Sequence, residues 1–262
     1  MNNQKIALFD SGVGGLTVLD KLKQILPNEN YIYFGDLKHI PYGEKSKEEL
    51  IKYADDIFTF FNNKDIKAAV MACNTTSANT YEELKNNYKF KIYPIIQSVS
   101  KIISQMPIKK VGVLATRATI NSGAYAKELK KHNPDLQIFE MACPPWVEIV
   151  ESQKENEEES IKIVKEYLEK MLSNKPDKII LGCTHYPYLL DVLSKFAPRE
   201  MFIDPSLFFA EFIKKDLENN NLLSDSAQGS EEFFVSANPE SFISASKVFY
   251  PLEKASLLKL QV

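Results

Sequence analysis

Short apolar runs alternate along the chain with longer segments in which apolar residues recur every three or four positions. The short runs predict strands at residues 5–9, 31–34, 68–72, 91–95, 111–115, 137–141, 178–181 and 201–203. The longer segments predict helices at residues 15–25, 46–62, 78–87, 124–131, 157–172, 188–196 and 206–218. This alternation is typical of α/β proteins, in which a mainly parallel sheet is flanked by helices.

A weak internal repeat indicates that this α/β arrangement occurs twice. The segment 7–11 resembles 113–117, and two strands that end in a cysteine recur about 110 residues apart. A loop at 219–230 precedes a late strand at 232–236 and a helix at 239–249, which we expect to return to the first half. We therefore predict two pseudo-symmetric domains, the first formed by residues 1–97 plus 207–262 and the second by residues 98–206.

Composition narrows the class of protein. The chain has 262 residues, 44% of them hydrophobic, and a net charge of −3 with scattered lysines, so nucleic acid is not favoured as a partner. No apolar run approaches the roughly 18 residues of a membrane span, and the first one is too short for a signal peptide. Three cysteines do not suggest a disulfide framework, so we predict a cytoplasmic protein with reduced thiols.

The cysteine pair is the main candidate for chemistry. Cys73 and Cys183 each end an apolar strand and precede a polar turn that opens a helix. One strand-end cysteine is more often a small buried hydrophobe. Two matched ones with polar flanks instead predict thiols that face one substrate from opposite sides, one removing a proton while the other returns one.

Other polar residues are predicted at the same ends of the strands, where ligands bind in open α/β sheets. They are Asp10, Ser11, Asp36, Asn74, Thr75, Thr116, Thr184 and His185. Asp10 precedes a glycine-rich turn that fails both the dinucleotide and the P-loop pattern, so the turn is interpreted as backbone amides approaching a carboxylate. Asp10 could equally be only a helix N-cap. His185 lies two residues after Cys183, which favours a proton-handling role.

The remaining candidates carry weaker signals. Residues 41–43 predict a turn, and Glu151 is interpreted as opening an acidic, solvated helix. Cys143 lacks the polar flank and is expected to be structural; His132 is expected to be solvated, and His39 stays unassigned. The cysteines are too dispersed for a zinc site, and no lysine stands out as a Schiff-base former, so the default is chemistry without metal or cofactor.

These segments, taken together and in order, resemble the glutamate racemases of the aspartate/glutamate racemase family. The matching segments are 9–16, 41–46, 72–75, 143–144, 150–151 and 182–187. The resemblance implies a site between two α/β domains, no pyridoxal phosphate, interconversion of L- and D-glutamate for peptidoglycan synthesis, and a homodimer.

The resemblance also implies roles for individual residues. Cys73 would take the α-proton from D-glutamate and Cys183 from L-glutamate, with Asp10, His185 and Glu151 tuning the transfer. The carboxylates and the amine of the substrate would contact residues from both halves, including the turn 41–43. These residues are Asp10, Ser11, Pro41, Tyr42, Gly43, Asn74, Thr75, Thr116, Thr184 and His185.

The chain departs from the family pattern at Thr76, at 94–99 and at 144–146, which bears on the interdomain edge and any regulatory pocket. Activation by a cell-wall precursor is not expected, because no N-terminal extension precedes the first strand. Three alternatives stay open: a related aspartate, hydantoin or maleate enzyme; a hydrolase with Cys183 as nucleophile beside His185; and a non-catalytic binding module.

Overall fold

The computed structural model describes residues 3–247 and 250–260. Its strands are β1 (Lys5–Asp10), β2 (Tyr31–Gly35), β3 (Ile66–Met71), β4 (Lys91–Pro94), β5 (Lys110–Ala115), β6 (Gln137–Ala142), β7 (Lys178–Gly182), β8 (Phe202–Ile203), β9 (Glu231–Val235) and β10 (Ser256–Leu257). Its α-helices are α1 (Leu16–Ile25), α2 (Lys47–Asn62), α3 (Asn74–Leu84), α4 (Ile95–Ser104), α5 (Arg117–Ser122), α6 (Ala124–His132), α7 (Pro145–Glu151), α8 (Glu158–Leu172), α9 (Leu190–Leu193), α10 (Pro205–Asn219) and α11 (Pro239–Ser246). Short 3-10 turns lie at Leu37–His39, Tyr42–Glu44, Tyr186–Leu189 and Arg199–Met201.

The strands form two parallel sheets, with the orders β10-β9-β2-β1-β3-β4 and β6-β5-β7-β8. The order β2-β1-β3-β4 of the first sheet is repeated as β6-β5-β7-β8 in the second, so β1 corresponds to β5 and β3 to β7. The predicted fold class, with two pseudo-symmetric halves, is confirmed. Because β9 pairs in parallel with β2, the prediction that the C-terminal segment returns to the first half is also confirmed.

The inner strands are apolar on both faces, as expected where helices cover both sides of a parallel sheet. The stretch 6–9 in β1 is completely buried. One apolar cluster contains Leu8 from the first sheet, Val113 from the second, and Ile96 and Phe209 from α4 and α10. The two halves therefore share a core, and α4 and α10 lie where the chain passes from one half to the other.

Local signals explain several helix boundaries. The side chain of Ser46 accepts a hydrogen bond from the Glu49 N–H at 3.2 Å, and the Glu49 carboxylate accepts one from the Ser46 N–H at 2.9 Å. This reciprocal capping box fixes the start of α2. Gly123, at φ +63°, ends α5 and precedes α6, which turns the chain sharply between the two helices.

Several predicted boundaries were wrong. Helix α3 begins at Asn74 rather than at 78, because Cys73 is already its N-cap, and the predicted helix 188–196 is a 3-10 turn followed by the short α9. Helices α4, α5 and α7 and strand β10 were not predicted. The predicted helix 239–249 corresponds to α11, and positions 248 and 249 lie outside the described residues.

The prediction that Glu151 opens an acidic helix was wrong. It is the last residue of α7, and α8 begins only at Glu158. Gln153, at φ +55°, separates the two helices. Glu151 is thereby held at a helix end beside the strand ends of the second sheet. Across residues 3–247 and 250–260, no helix combines the length and apolarity needed to cross a membrane.

Candidate active site

A cavity of about 560 Å³ lies at the carboxyl ends of both sheets. Its walls include residues from the turns that follow β1, β3, β5 and β7, which is where parallel sheets bind ligands. The residues that line it are Ser11, Ile40, Pro41, Tyr42, Gly43, Glu44, Cys73, Asn74, Thr75, Thr116, Arg117, Pro144, Pro145, Val147, Glu148, Glu151, Cys183, Thr184 and His185. Of the residues for which the sequence analysis expected a catalytic or substrate-binding role, all except Asp10 line this cavity.

Cys73 follows β3 and caps α3, with 5% of the residue exposed. Burial, reinforced by the negative charge of Asp10, raises the pKa of this thiol to about 12. The Thr76 N–H, in the first turn of α3, acts in the opposite direction. At neutral pH, Cys73 is therefore a protonated thiol and a potential proton donor to a group in the cavity.

Cys183 occupies the equivalent place after β7, with His185 and Glu151 beside it. His185 Nδ1 lies 3.7 Å from the Cys183 sulfur, and Nε2 lies 2.6 Å from Glu151 Oε1. Burial opposes a charge on His185, but the hydrogen bonds with Cys183 and Glu151 outweigh it and raise the pKa of the imidazole well above its usual range. The ring is therefore an imidazolium that can stabilise negative charge on the Cys183 sulfur.

Asp10 lies behind the cavity wall rather than in it. Its carboxylate accepts hydrogen bonds from the Gly12 N–H at 3.1 Å and from the Thr184 hydroxyl at 3.3 Å. Burial raises the pKa of Asp10, against the charge of His185. In this turn the amides of Gly12 and Gly15 thus meet the Asp10 carboxylate, and the N-cap of the following helix α1 is Gly15 rather than Asp10.

The turn after β1 is held close to the Cys183 motif. A Cβ atom on Gly14 would clash with Thr184 Oγ1 and lie 2.8 Å from the His185 ring, so a side chain at this position would displace both residues. The Tyr33 hydroxyl donates to the Gly12 carbonyl at 2.7 Å and fixes the turn from below. The turn after β1 in the first half thereby packs directly against Thr184 and His185 of the second half.

A cluster of threonine hydroxyls joins the halves on the other side of the cavity. Thr75 Oγ1 lies 2.8 Å from Thr116 Oγ1 and 3.3 Å from Thr119 Oγ1, and the last two are 2.9 Å apart. All three residues are buried. Thr75 and Thr116 were predicted from the sequence to lie in the site, but Thr119 was not, although its position one helical turn after Thr116 was an available signal.

The turn 41–43 lines one side of the cavity, which we call its roof. The Tyr42 hydroxyl donates to Asp36 Oδ2 at 2.5 Å, and His39 Nδ1 lies 2.7 Å from the same oxygen. The His39 ring stacks on Tyr53 with centroids 4.0 Å apart, which assigns a structural place to this histidine. Asp36, which the sequence analysis placed at the strand ends, thus supports the roof without lining the cavity.

Two residues that the sequence analysis set aside can also be located. Cys143 is completely buried, burial raises the pKa of its thiol, and its carbonyl accepts a hydrogen bond from the Tyr186 hydroxyl. His132 is exposed at the end of α6. Neither residue lines the cavity, as expected. Among the residues that the structure describes, no group of three or more His, Cys, Asp and Glu side chains is placed to hold a metal ion.

Charged cavity residues were missed by the sequence analysis. Glu44 and Glu148 line the cavity, as does Arg117, the one lysine or arginine among the described lining residues. Arg117 Nε lies 3.5 Å from Glu44 Oε2, and both side chains are about half exposed at the mouth. The only signal for Arg117 was its place directly after Thr116.

A family model described as Asp/Glu/Hydantoin racemase matches residues 11–211. The chain therefore belongs to the Asp/Glu/hydantoin racemase family. A glutamate racemase from Carboxydothermus hydrogenoformans is 38% identical over 260 residues, which cover 98% of this chain and 97% of that protein.

Solved structures show the same likeness along the whole chain. Glutamate racemase from Francisella tularensis, in complex with D-glutamate, superposes with a TM-score of 0.92 at 33% identity, covering 100% of this chain and 99% of that one. A glutamate racemase isoform from Bacillus anthracis superposes with a TM-score of 0.94 at 28% identity, covering 100% of both chains. The resemblance found in the sequence motifs is thus confirmed.

Proposed function

We propose that this chain interconverts L- and D-glutamate without a cofactor, one thiol removing the α-proton while a second thiol delivers a different proton to the opposite face. The observation that carries the proposal is that Cys73 and Cys183, which follow equivalent strands of the two halves, line one cavity. The glutamate racemases similar to this chain support glutamate as the substrate, and the Francisella tularensis structure holds D-glutamate.

The two half-sites supply a base and an acid for the L-to-D direction. In this direction Cys183 acts as the base, and its sulfur, beside the His185 imidazolium, removes the α-proton of L-glutamate. Cys73, whose thiol pKa is about 12, delivers its own proton to the opposite face of the carbanion. The product is D-glutamate, and the sulfurs are left as a Cys183 thiol and a Cys73 thiolate. This is the state that removes the α-proton of D-glutamate in the reverse direction.

Most of the rate enhancement must come from hydrogen-bond donors that are already in place. A turnover of about 1–10³ per second corresponds to a barrier of about 13–17 kcal/mol. Positioned acid and base groups supply only about 10²–10⁴-fold. We propose that Ser11, Asn74, Thr75 and Thr184, together with the roof and Thr116, hold the substrate carboxylates and amine, so that negative charge developing near the α-carbon is stabilised.

We also propose the two domains as residues 1–97 plus 207–262 and residues 98–206. The proposal is supported by the pairing of strands, since the strands within each range hydrogen-bond with one another. Both boundaries fall inside helices, α4 and α10. The supply of D-glutamate for peptidoglycan, the cytoplasmic location and the homodimer stay predictions.

Solvent isotope incorporation tests the two-base mechanism. Purified protein is incubated with L-glutamate in D₂O, and the reaction is stopped at low conversion. The D-glutamate formed should carry deuterium at the α-carbon, because a second thiol that has exchanged with the solvent protonates the opposite face. The remaining L-glutamate should keep its protium, because the proton on the first thiol returns to the face it left. D-glutamate that retains protium would rule out protonation by a second, solvent-exchanged thiol, and rapid deuteration of unreacted L-glutamate would indicate a single base.

Cysteine variants assign the sulfurs. Cys73→Ala and Cys183→Ala should each lower racemisation, followed by circular dichroism, at least about 10³-fold with an unchanged fold. Cys143→Ala is the matched control, since it removes a buried thiol outside the cavity and should keep its activity. Near-normal turnover in either of the first two variants contradicts the proposal, and faster racemisation of L-aspartate than of L-glutamate would assign a different substrate.

A further inference from the structure

Tyr125 connects the two cysteine motifs without lining the cavity. It is the second residue of α6, directly beyond the sharp turn at Gly123, and it is completely buried. Its hydroxyl donates a hydrogen bond to Asn74 Oδ1 at 2.7 Å. A residue of the second half thus contacts the side chain that directly follows Cys73 in the first half.

The Tyr125 ring also contacts the second cysteine motif. A Cβ atom on Gly182, the residue before Cys183, would lie 3.0 Å from Tyr125 Cε2. The same Cβ would lie 3.1 Å from the Ala115 side chain and from the Leu114 carbonyl. The Tyr125 ring therefore packs against the end of β7, which is itself held closely against the neighbouring strand β5. The position of the Tyr125 hydroxyl is therefore set by the strand that carries Cys183.

This contact determines which face of the Asn74 amide points at a ligand. A side-chain amide has one acceptor oxygen and one donor nitrogen, and the two have nearly the same shape. The Tyr125 hydroxyl occupies Oδ1, so the N–H groups of Nδ2 are not engaged by Tyr125. An anionic ligand in the cavity needs those donors, whereas a rotated amide would turn its oxygen toward the anion.

We propose that Tyr125 is a positioning residue, which fixes the Asn74 amide so that its N–H groups face the substrate carboxylate. The inference rests on the proposed function, in which Asn74 binds that carboxylate. It gives the second half a direct part in ordering the substrate ligand that follows Cys73.

The test is a double-mutant cycle measured by circular dichroism with both enantiomers of glutamate. Tyr125→Phe keeps the ring against Gly182 and removes one hydroxyl. It should raise the KM for both enantiomers about tenfold with a smaller change in kcat, because binding is lost in the ground state and the transition state alike. Asn74→Ala should raise KM at least as much. In the Asn74→Ala background, Tyr125→Phe should then have no further effect on KM.

Tyr31→Phe is the matched control. Tyr31 is equally buried, and its hydroxyl donates to the Leu26 carbonyl at 2.9 Å, remote from the cavity. Both tyrosine variants should lower the melting temperature by similar amounts, but only Tyr125→Phe should raise KM. A purely structural role for Tyr125 would not produce this difference.

The outcomes separate the two hypotheses. If Asn74→Ala leaves KM unchanged, Asn74 is not a substrate ligand and that part of the proposed function fails. If Asn74→Ala raises KM while Tyr125→Phe does not, the positioning role is wrong and the proposed function stands. If Tyr125→Phe raises KM by the same factor with and without the Asn74 side chain, Tyr125 does not act through Asn74, which also overturns the inference.

Discussion

Replacing Glu151 by glutamine tests whether the His185 imidazolium assists proton transfer at Cys183. Glu151 Oε1 lies 2.6 Å from His185 Nε2, and the side chains are 30% and 3% exposed, respectively. The variant keeps the size and a hydrogen bond but removes the negative charge. Because burial disfavours the charged ring, loss of the carboxylate lowers the pKa of His185 and reduces the imidazolium fraction.

The magnitude follows from the change in the hydrogen bond. A buried hydrogen bond to a charged group contributes about 1.5–3 kcal/mol and a neutral one about 0.5–1.5 kcal/mol, so the variant loses about 1–2 kcal/mol. With tenfold in rate for each 1.36 kcal/mol, kcat/KM should fall about 5- to 30-fold. The two enantiomers have equal free energies, so kcat/KM must fall by the same factor in both directions, whichever half-site is impaired.

The assay is the pH profile of kcat/KM for both enantiomers, followed by circular dichroism. Activity that depends on the imidazolium is lost as the pH rises through its pKa, so the alkaline limb should move to lower pH in Glu151→Gln. Glu148→Gln is the control, since Glu148 lines the same cavity from the same helix. The reasoning is refuted if Glu151→Gln keeps both the rate and the alkaline limb, or if Glu148→Gln produces the same changes.

Three other perturbations probe the turn after β1, the Cys73 thiol and a buried ion pair. Gly14→Ala should lower kcat/KM about 10²-fold by displacing Thr184 and His185, while Gly123→Ala, which meets no atom within 4 Å, should cost stability but not activity; equal rates would contradict this. Alkylation of Cys73 in the substrate-free protein, measured by peptide mass spectrometry, should rise about tenfold per pH unit from pH 7 to 10, because its thiol pKa is about 12; a plateau near pH 9 would indicate an ordinary thiol. Lys67→Met should lower the free energy of unfolding, measured by denaturant unfolding, by about 3–5 kcal/mol. The reason is that Glu29, whose carboxylate lies 2.5 Å from the Lys67 ammonium and is 2% exposed, loses its buried partner. A variant that also carries Glu29→Leu should recover much of this free energy, and an unchanged loss would contradict the reason given.

The strand ends were predictable because their signal is local. An apolar run that stops at a cysteine and a polar turn marks both the end of a buried strand and the place where ligands bind. The predicted strands β1, β3, β5 and β7 consequently brought Cys73, Cys183 and Thr116 to one cavity, as expected. The order of the strands within each sheet follows from long-range pairing and was not contained in any single segment.

Residues whose position depends on contacts between the halves were not predictable in this way. Glu151 was assigned to an acidic helix because acidic residues recur from 151 to 159 with no glycine or proline between them. The break is a backbone turn at Gln153, whose φ is +55°. In a sequence, a positive φ is indicated mainly by glycine or asparagine, and a glutamine gives no such signal. The contacts of Thr119 with Thr75, of Arg117 with Glu44 and of Tyr125 with Asn74 likewise form only when the second half packs against the first.

The strand β6 has a consequence for behaviour in acid. It pairs with β5 on one side, and no other strand of the described chain pairs with its second side. Glu140 lies in the middle of this six-residue border, and burial raises the pKa of its carboxyl. A charge on such a border discourages intermolecular strand addition. Because Glu140 takes up its proton at a less acidic pH than an ordinary glutamate, this charge is lost in mildly acidic solutions, and we expect self-association through β6 to begin there.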